Sequence, residues 1–170
     1  MQALVAFFDD EADAAVRELW QRLGTTYEFP PHVTYAVAST IGPKARKELR
    51  EDLSRLWVPD MWLHNLGVFS ASDNVLYLGA VVDAELLAVH SAIHDVLAGK
   101  VRNPSAYYLP GSWIPHCTLA DNVSDDEMKS LFAKAFPVSP IRVRVREVSV
   151  VDTQTGEIDT LVRKASTAPR

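Results

Sequence analysis

The eight residues Pro-His-Val-Thr-Tyr-Ala-Val-Ala at 31–38 decide the fold, because their pattern returns as Pro-His-Cys-Thr-Leu-Ala at 115–120, about half a chain later. Proline, histidine, threonine and the first alanine occupy the same places in both stretches. Each stretch is a short, mainly apolar run of the kind that forms a strand. The shared pattern predicts a chain built from two related units, each with one Pro-His-x-Thr strand.

The same series of elements surrounds each motif: a strand and a helix, then the motif strand and another helix. Sequence patterns predict strands at 3–8, 32–38, 61–69, 75–82, 116–120, 141–151 and 157–164, and helices at 9–24, 42–56, 83–99 and 124–136. Polar residues at Ser72-Asp73-Asn74 predict a hairpin turn, and 103–115 reads as a loop. We therefore expect one α+β domain over 1–170, with two lobes of duplicated strand–helix units and mainly antiparallel sheets around a central cleft.

Composition narrows the classes of function. With 170 residues, 48% of them hydrophobic, the chain can bury a hydrophobic core. Its net charge of -5 argues against a protein that binds long nucleic-acid duplexes. Its one cysteine cannot form an internal disulfide, and the apolar run at 4–8 has no basic leader before it. No stretch has the length of a membrane span. We expect a cytoplasmic protein with no membrane partner, whose oligomeric state the sequence leaves open.

The two motifs place matching chemical groups on one face of their strands. Because alternate side chains of a strand share a face, His32 and Thr34 point together, and His116 and Thr118 repeat this with Cys117 turned away. Histidine can give or take a proton near neutral pH, and a threonine hydroxyl can donate a hydrogen bond to a phosphate oxygen. Two such pairs across one cleft predict phosphodiester hydrolysis by two-histidine acid–base catalysis.

With two His-x-Thr motifs separated by about half the chain, the sequence resembles the 2H phosphoesterase superfamily, which includes RNA 2',3'-cyclic phosphodiesterases and the so-called 2',5'-RNA ligases. The resemblance implies a bilobal fold, no cofactor or metal, and action on cyclic or 2',5'-linked nucleotide phosphodiesters, with ligation as the reverse reaction. It assigns catalysis to His32 and His116, and phosphate binding to Thr34 and Thr118. By analogy with family cyclic phosphodiesterases, His116 activates water and His32 protonates the leaving oxygen.

Two aromatic residues beside the motifs are candidate substrate contacts. Tyr35 occupies the hydrophobic position that the family has after the threonine, and Trp113 lies in the loop before the second motif, with Tyr107 and Tyr108, where a ring could stack on a base. The first strand, at 4–8, lacks the arginine that many nucleotide-acting members carry. The partner we expect is a small nucleotide or an RNA terminus.

Other patterns support competing hypotheses. The same cleft could belong to a non-catalytic module that binds nucleotides or RNA ends. His90 and His94 lie one helical turn apart and could bind metal, but they lack the glutamate of a His-Glu-x-x-His hydrolase, so a solvated helix face is favoured. Arginines alternate at 142, 144 and 146, which favours an exposed, edge-protecting strand face over phosphate binding. His64 has no evident partner, and we expect it to be structural.

Overall fold

The computed structural model of the chain describes residues 1–56, 58–71 and 73–164. Its elements are β1 (Gln2–Phe8), α1 (Asp10–Leu23), β2 (His32–Ala38), β3 (Thr40–Ile41), α2 (Pro43–Arg55), β4 (Met61–Phe69), β5 (Val75–Ala80), α3 (Ala84–Leu97), β6 (Val101–Arg102), a 3-10 helix (Ala106–Tyr108), β7 (His116–Ala120), α4 (Asp125–Ala135), β8 (Ile141–Val143), β9 (Val145–Asp152) and β10 (Ile158–Arg163).

Two four-stranded antiparallel sheets form the framework. The first sheet has the order β10-β9-β1-β2 and the second β7-β5-β4-β8, while β3 and β6 form a two-stranded ribbon. The motif strands β2 and β7 are therefore edge strands, and they lie alongside each other. The predicted α+β class and its mainly antiparallel sheets are confirmed, as is the hairpin of β4 and β5. Ser72, which we expected in that turn, lies outside the described residues.

Each sheet takes its elements from both halves of the chain. The helices α2 and α3 pack against the first sheet, and α1 and α4 pack against the second, although α1 directly follows β1 of the first sheet. The C-terminal strands β9 and β10 return to extend the sheet of β1 and β2. The lobes are therefore not sequential halves, and one hydrophobic core joins both sheets. In the described ranges, no helix is long and apolar enough to cross a membrane.

The strand predicted at 141–151 is two strands in the structure. β8 pairs with β4 of the second sheet, and β9 pairs with β1 of the first. Between them, the backbone N–H of Asp9 donates to the Arg144 carbonyl at 2.8 Å, and the Arg144 N–H donates to the Asp9 carboxylate at 2.9 Å. Asp9 thus satisfies both backbone groups of Arg144 at the point where the chain passes from one sheet to the other. The alternation of exposed and buried side chains continues through this point, so the sequence reads as one strand.

A buried histidine fixes α3 and the loop before β7 against β2. His90 is 2% exposed, and its ring stacks on the Trp113 indole with 3.9 Å between centroids. His90 Nε2 bonds to the Tyr108 carbonyl at 2.9 Å, and His94 Nε2 bonds to the Tyr35 carbonyl at 3.0 Å. Since carbonyls only accept, both nitrogens carry a hydrogen. The expectation of a solvated face at these histidines is wrong, because the helix uses them to hold the loop and β2.

Acid is expected to weaken the fold through His90. Burial, followed by the charge of the neighbouring His94, lowers the pKa of His90 from 6.5 to about 4. Between these values the unfolded chain binds a proton that the folded chain does not, so stability is full above pH 6.5 and falls as the pH drops. Urea unfolding should show a loss of about 1.4 kcal/mol per pH unit from this group, on the order of 3 kcal/mol by pH 4.

The matched variant is His90→Gln, which keeps a donor for the Tyr108 carbonyl but cannot titrate. Its free energy of unfolding should depend less on pH between 6.5 and 4 than that of the wild type. The same acid loss in both proteins would show that other groups cause it.

Candidate active site

The structure brings the four motif side chains together where the two sheets meet. His32 and Thr34 share a face of β2, His116 and Thr118 share a face of β7, and all four are partly exposed. The strands β2 and β7 are in contact, and the charge of His116 adds to the larger effect of burial in lowering the pKa of His32. Two imidazoles and two hydroxyls from distant parts of the chain thus lie on two neighbouring strands.

Both histidines are held in the same way by the residue two positions earlier. His32 Nδ1 lies 2.7 Å from the Pro30 carbonyl oxygen, and His116 Nδ1 lies 2.7 Å from the Ile114 carbonyl oxygen. A carbonyl can only accept, so Nδ1 carries the hydrogen in each ring. In the neutral form each Nε2 is then a lone-pair acceptor, able to take a proton from a ligand or, once protonated, to return it.

Burial sets the charge state of both imidazoles. It is the main cause that lowers the pKa of His32 and of His116 below the usual histidine value. The hydrogen bonds to the Pro30 and Ile114 carbonyls oppose this shift because they favour the charged ring. An anion between the rings would favour protonation of one of them.

The two threonine hydroxyls complete the set. Within the described residues, neither Thr34 Oγ1 nor Thr118 Oγ1 hydrogen-bonds to protein, although both side chains are only partly exposed. Each hydroxyl can therefore donate to an oxygen placed between the strands. The arrangement provides two proton-transfer groups and two neutral donors, which suits a tetrahedral oxyanion such as phosphate.

Two tryptophans donate hydrogen bonds to the backbone of the motif strands. The Trp113 indole N–H donates to the Thr34 carbonyl at 2.9 Å, and the Trp20 indole N–H donates to the Thr118 carbonyl at 3.0 Å. The two threonines occupy matching places in the motifs, so the same contact is made once on each strand. Each edge strand thus satisfies a carbonyl without pairing with the other strand.

Tyr35 and Trp113 do not contact the cleft in the way we expected from the sequence. Tyr35 is 1% exposed, packs against the Trp113 and His90 rings, and lies on the core side of β2. Trp113 is also buried, and its polar atom is used by the Thr34 carbonyl. Tyr35 follows Thr34 by one residue and must face the other way, while the loop folds Trp113 inward; both support the site from within the core.

The side chain between histidine and threonine is buried in both motifs. Val33 is fully buried, and Cys117 is 1% exposed. Burial raises the pKa of the Cys117 thiol to about 12, although a hydrogen bond from the His32 backbone opposes the shift. A neutral buried thiol is a poor nucleophile, so the site does not resemble that of a cysteine hydrolase.

A pocket of about 500 Å³ opens beside His116, and it is lined in part by Phe69, which the sequence did not assign to the site. Phe69 stacks on Tyr77 at 4.3 Å between centroids, and these rings lie 4.9 and 5.2 Å from the His116 ring. Tyr107, which is 81% exposed, and Ile114 line the same pocket. Phe69 and Tyr77 belong to the predicted hairpin, and only the pairing of β5 with β7 shows that this hairpin reaches the second motif.

Other candidate residues lie outside the site. In the described residues, no three histidine, cysteine or acidic side chains are grouped to hold a metal. His64 is exposed at an irregularity of β4, and its side chain forms no hydrogen bond within those residues. All three alternating arginines form ion pairs. Arg142 pairs with Asp60, Arg144 with Asp9 and Glu11, and Arg146 with Asp10. Arg142 lies on the edge strand β8, as the edge-protecting interpretation requires.

Comparison with known families identifies the class of protein. Residues 8–157 match the model of the 2'-5' RNA ligase superfamily, and the chain belongs to this family. The match spans both motifs and confirms the resemblance to the 2H phosphoesterases that the motifs indicated. No curated protein sequence matches the chain.

Two solved structures show the same fold. The chain is similar to Kluyveromyces marxianus Usb1, with a TM-score of 0.54, 13% identity, and coverage of 94% of this chain and 96% of that one. It is also similar to the structure of the same yeast protein with uridine monophosphate, with a TM-score of 0.55, 12% identity and the same coverage. At these identities the likeness concerns the fold.

The Trp113 contact gives a testable prediction for stability. Trp113→Phe keeps a ring against His90 but removes the indole N–H, which leaves the Thr34 carbonyl without its donor. An unsatisfied buried carbonyl should lower the free energy of unfolding by about 1–3 kcal/mol, measured with urea. The control is Trp62→Phe, at a 47% exposed tryptophan. Equal effects in the two variants would contradict a special role for the Trp113 hydrogen bond.

Proposed function

We propose that this protein hydrolyses a cyclic or 2',5'-linked nucleotide phosphodiester, in a small nucleotide or at an RNA terminus, without a metal. The observation that carries the proposal is the matched pair of imidazoles, each with Nδ1–H bonded to a backbone carbonyl at 2.7 Å and Nε2 left for a ligand. Family membership supports the RNA substrate class, and the structure of similar fold with uridine monophosphate supports a nucleotide as the ligand.

The reaction needs one neutral and one protonated imidazole. The neutral Nε2 takes a proton from water as the water oxygen bonds to phosphorus, and the protonated Nε2 gives its hydrogen to the leaving oxygen as the phosphorus–oxygen bond breaks. The histidine that acted as base is then protonated and the one that acted as acid is neutral, and proton exchange with solvent restores the starting state. Because His32 and His116 have equivalent hydrogen bonds, the orientation of the substrate decides which acts as base.

Thr34 and Thr118 would bind the phosphate rather than transfer protons. Each hydroxyl can donate to a non-bridging oxygen, where negative charge grows in the transition state. Neutral donors are useful here, since a permanent cation would raise the cost of protonating the neighbouring imidazole.

The pocket beside His116 would hold the nucleoside. Phe69 offers an aromatic ring that Tyr77 supports by stacking, Tyr107 forms an exposed wall, and Asp73 supplies a polar group in the same lining. Stacking on an aromatic ring is tolerant of base identity, so this pocket favours a nucleotide without selecting one base strongly.

The direct test is hydrolysis of uridine 2',3'-cyclic monophosphate in excess chelator. Wild-type protein should turn it over, and His32→Ala or His116→Ala should each lower kcat about 10²- to 10⁴-fold, the usual contribution of general acid–base catalysis. Circular dichroism checks that both variants are folded. Loss of activity in chelator, or full activity in either variant, would refute the mechanism; binding without turnover of this and 2',5'-linked substrates would favour the non-catalytic binding module.

The threonines can be tested with conservative pairs. Thr34→Val and Thr118→Val remove a hydroxyl at nearly constant volume and should lower kcat/KM by about tenfold or more, as expected for one lost charge-stabilising hydrogen bond. Thr34→Ser and Thr118→Ser keep the hydroxyl and should recover most of the activity. Thr40→Val, at an exposed position in β3, is the control. Serine variants as impaired as the valine variants would show that the methyl group, not the hydroxyl, is needed.

The pH dependence of kcat/KM follows from the lowered pKa of both histidines. Free enzyme must have one imidazole protonated, and both pKa values lie below the usual 6.5. Above pH 6.5 the protonated fraction falls with each further rise in pH, so log kcat/KM should fall with a slope approaching -1. A profile that stays flat from pH 6.5 to 8 would contradict the acid role of an imidazole.

A further inference from the structure

An exposed apolar row crosses the second sheet next to the candidate site. It consists of Trp62, Val81 and Ile114, which are 47%, 49% and 50% exposed. The backbone N–H of Val81 donates to the Trp62 carbonyl at 2.8 Å, which joins the first two members. Arg142 of β8 lies directly opposite Trp62 of β4 and ends the row. We call these four residues the tryptophan row.

The tryptophan row lies on the same face of the sheet as His116. Met61 and Leu63, on either side of Trp62, are 3% and 0% exposed, so Trp62 points away from the core. Cys117 is likewise buried, so its neighbour His116 also points away from the core. Side chains opposite one another across an antiparallel sheet share a face, which extends this surface from Trp62 to Arg142.

The row is continuous with the proposed phosphate site. His116 is opposite Gly79, and Gly79 is opposite Asn65, so these three residues form the neighbouring line across the sheet. A Cβ at Gly79 would lie 2.7 Å from the Asn65 amide, which shows that the Asn65 side chain lies flat over β5. The carbonyl of Ile114, the nearest member of the row, accepts the hydrogen of His116 Nδ1.

Trp62 lies on the opposite side of His116 from the aromatic pocket. Phe69 and Trp62 belong to the same strand, β4, on either side of Asn65, the residue in line with His116. The Cα atoms of Trp62 and His116 are separated by two strand spacings across the sheet and by about two residues along it. These offsets correspond to a distance of about 12 Å. A nucleoside in the pocket cannot also reach Trp62, but the next nucleotide of a chain can.

The chemistry of the row fits a single-stranded nucleic acid. Among the described residues, no aromatic ring stacks on Trp62 and its indole N–H has no partner, so the 47% exposed ring is available to a base. Arg142 gives one donor to Asp60 at 3.2 Å and has further N–H groups for a phosphate. Base stacking with an adjacent cation is the combination that binds single strands.

We propose that the tryptophan row binds the nucleotide next to the one at the active site, with its base on Trp62 and its phosphate at Arg142. The preferred substrate is then an RNA oligonucleotide end, not a mononucleotide. This rests on the proposed function, because the pocket beside His116 must hold the terminal nucleoside. Val81 and Ile114 provide the apolar floor between the two nucleotides.

Binding separates this inference from the catalytic proposal. In a His32→Ala, His116→Ala background, which prevents turnover, the Kd of a 5'-fluorescein-labelled uridine trinucleotide is measured by anisotropy and that of uridine monophosphate by competition. Trp62→Ala should raise the ratio of the trinucleotide Kd to the monophosphate Kd about tenfold, as loss of one base stack predicts. Trp62→Phe should recover most of this, and Leu87→Ala, an exposed apolar residue on α3, should leave the ratio unchanged.

Arg142 is tested through salt. Arg142→Gln should make the plot of log Kd against log salt concentration shallower by about 0.7 for the trinucleotide, the value for one phosphate contact on a single strand. If Trp62→Ala weakens both ligands equally, the Kd ratio is unchanged and the proposal is overturned. A change of the same size in Leu87→Ala would overturn it as well. If wild-type protein fails to hydrolyse the cyclic nucleotide but the Kd ratio changes as expected, the catalytic proposal fails and the binding surface stands.

Discussion

The unpaired edges of β2 and β7 are the constraint on which the site depends. Two edge strands that lie alongside each other could pair and merge the two sheets. Here the Thr34 and Thr118 carbonyls receive indole N–H groups instead, from Trp113 and Trp20. One carbonyl of each edge is therefore satisfied at the motif itself by a tryptophan, without a bond to the other motif strand.

The proline before each histidine has a related role. A residue that precedes proline is restricted to extended backbone, which applies to Pro30 before Pro31 and to Ile114 before Pro115. In both places the carbonyl of this restricted residue accepts the hydrogen of the histidine Nδ1. The shared proline thus fixes the tautomer as well as the chain direction, and this explains why the repeated unit is Pro-His-x-Thr and not only His-x-Thr.

The sequence was sufficient for the elements and for the motif residues, because strand alternation and capping act over a few positions. Ser124 caps α4 in a capping box with Glu127, and Gly24 ends α1 in the left-handed conformation, so both helices have the bounds that local patterns indicate. It was not sufficient where partners are distant in the chain. Phe69 reaches His116 only because β5 pairs with β7, and Tyr35 was misassigned because a hydrophobic residue after threonine looks the same whether it faces a cleft or a core.

The two halves of the site are symmetric in chemistry and asymmetric in surroundings. On the His32 side, Phe7 packs edge-on against the imidazole and belongs to a small hydrophobic cluster that Phe29 helps to cover. On the His116 side, the face of the sheet stays open, with a pocket on one side and Trp62 on the other. Matched histidines can divide acid and base roles in either direction. Under the proposed mechanism, this difference in covering would direct a substrate chain onto the second sheet and so favour one orientation of the phosphodiester.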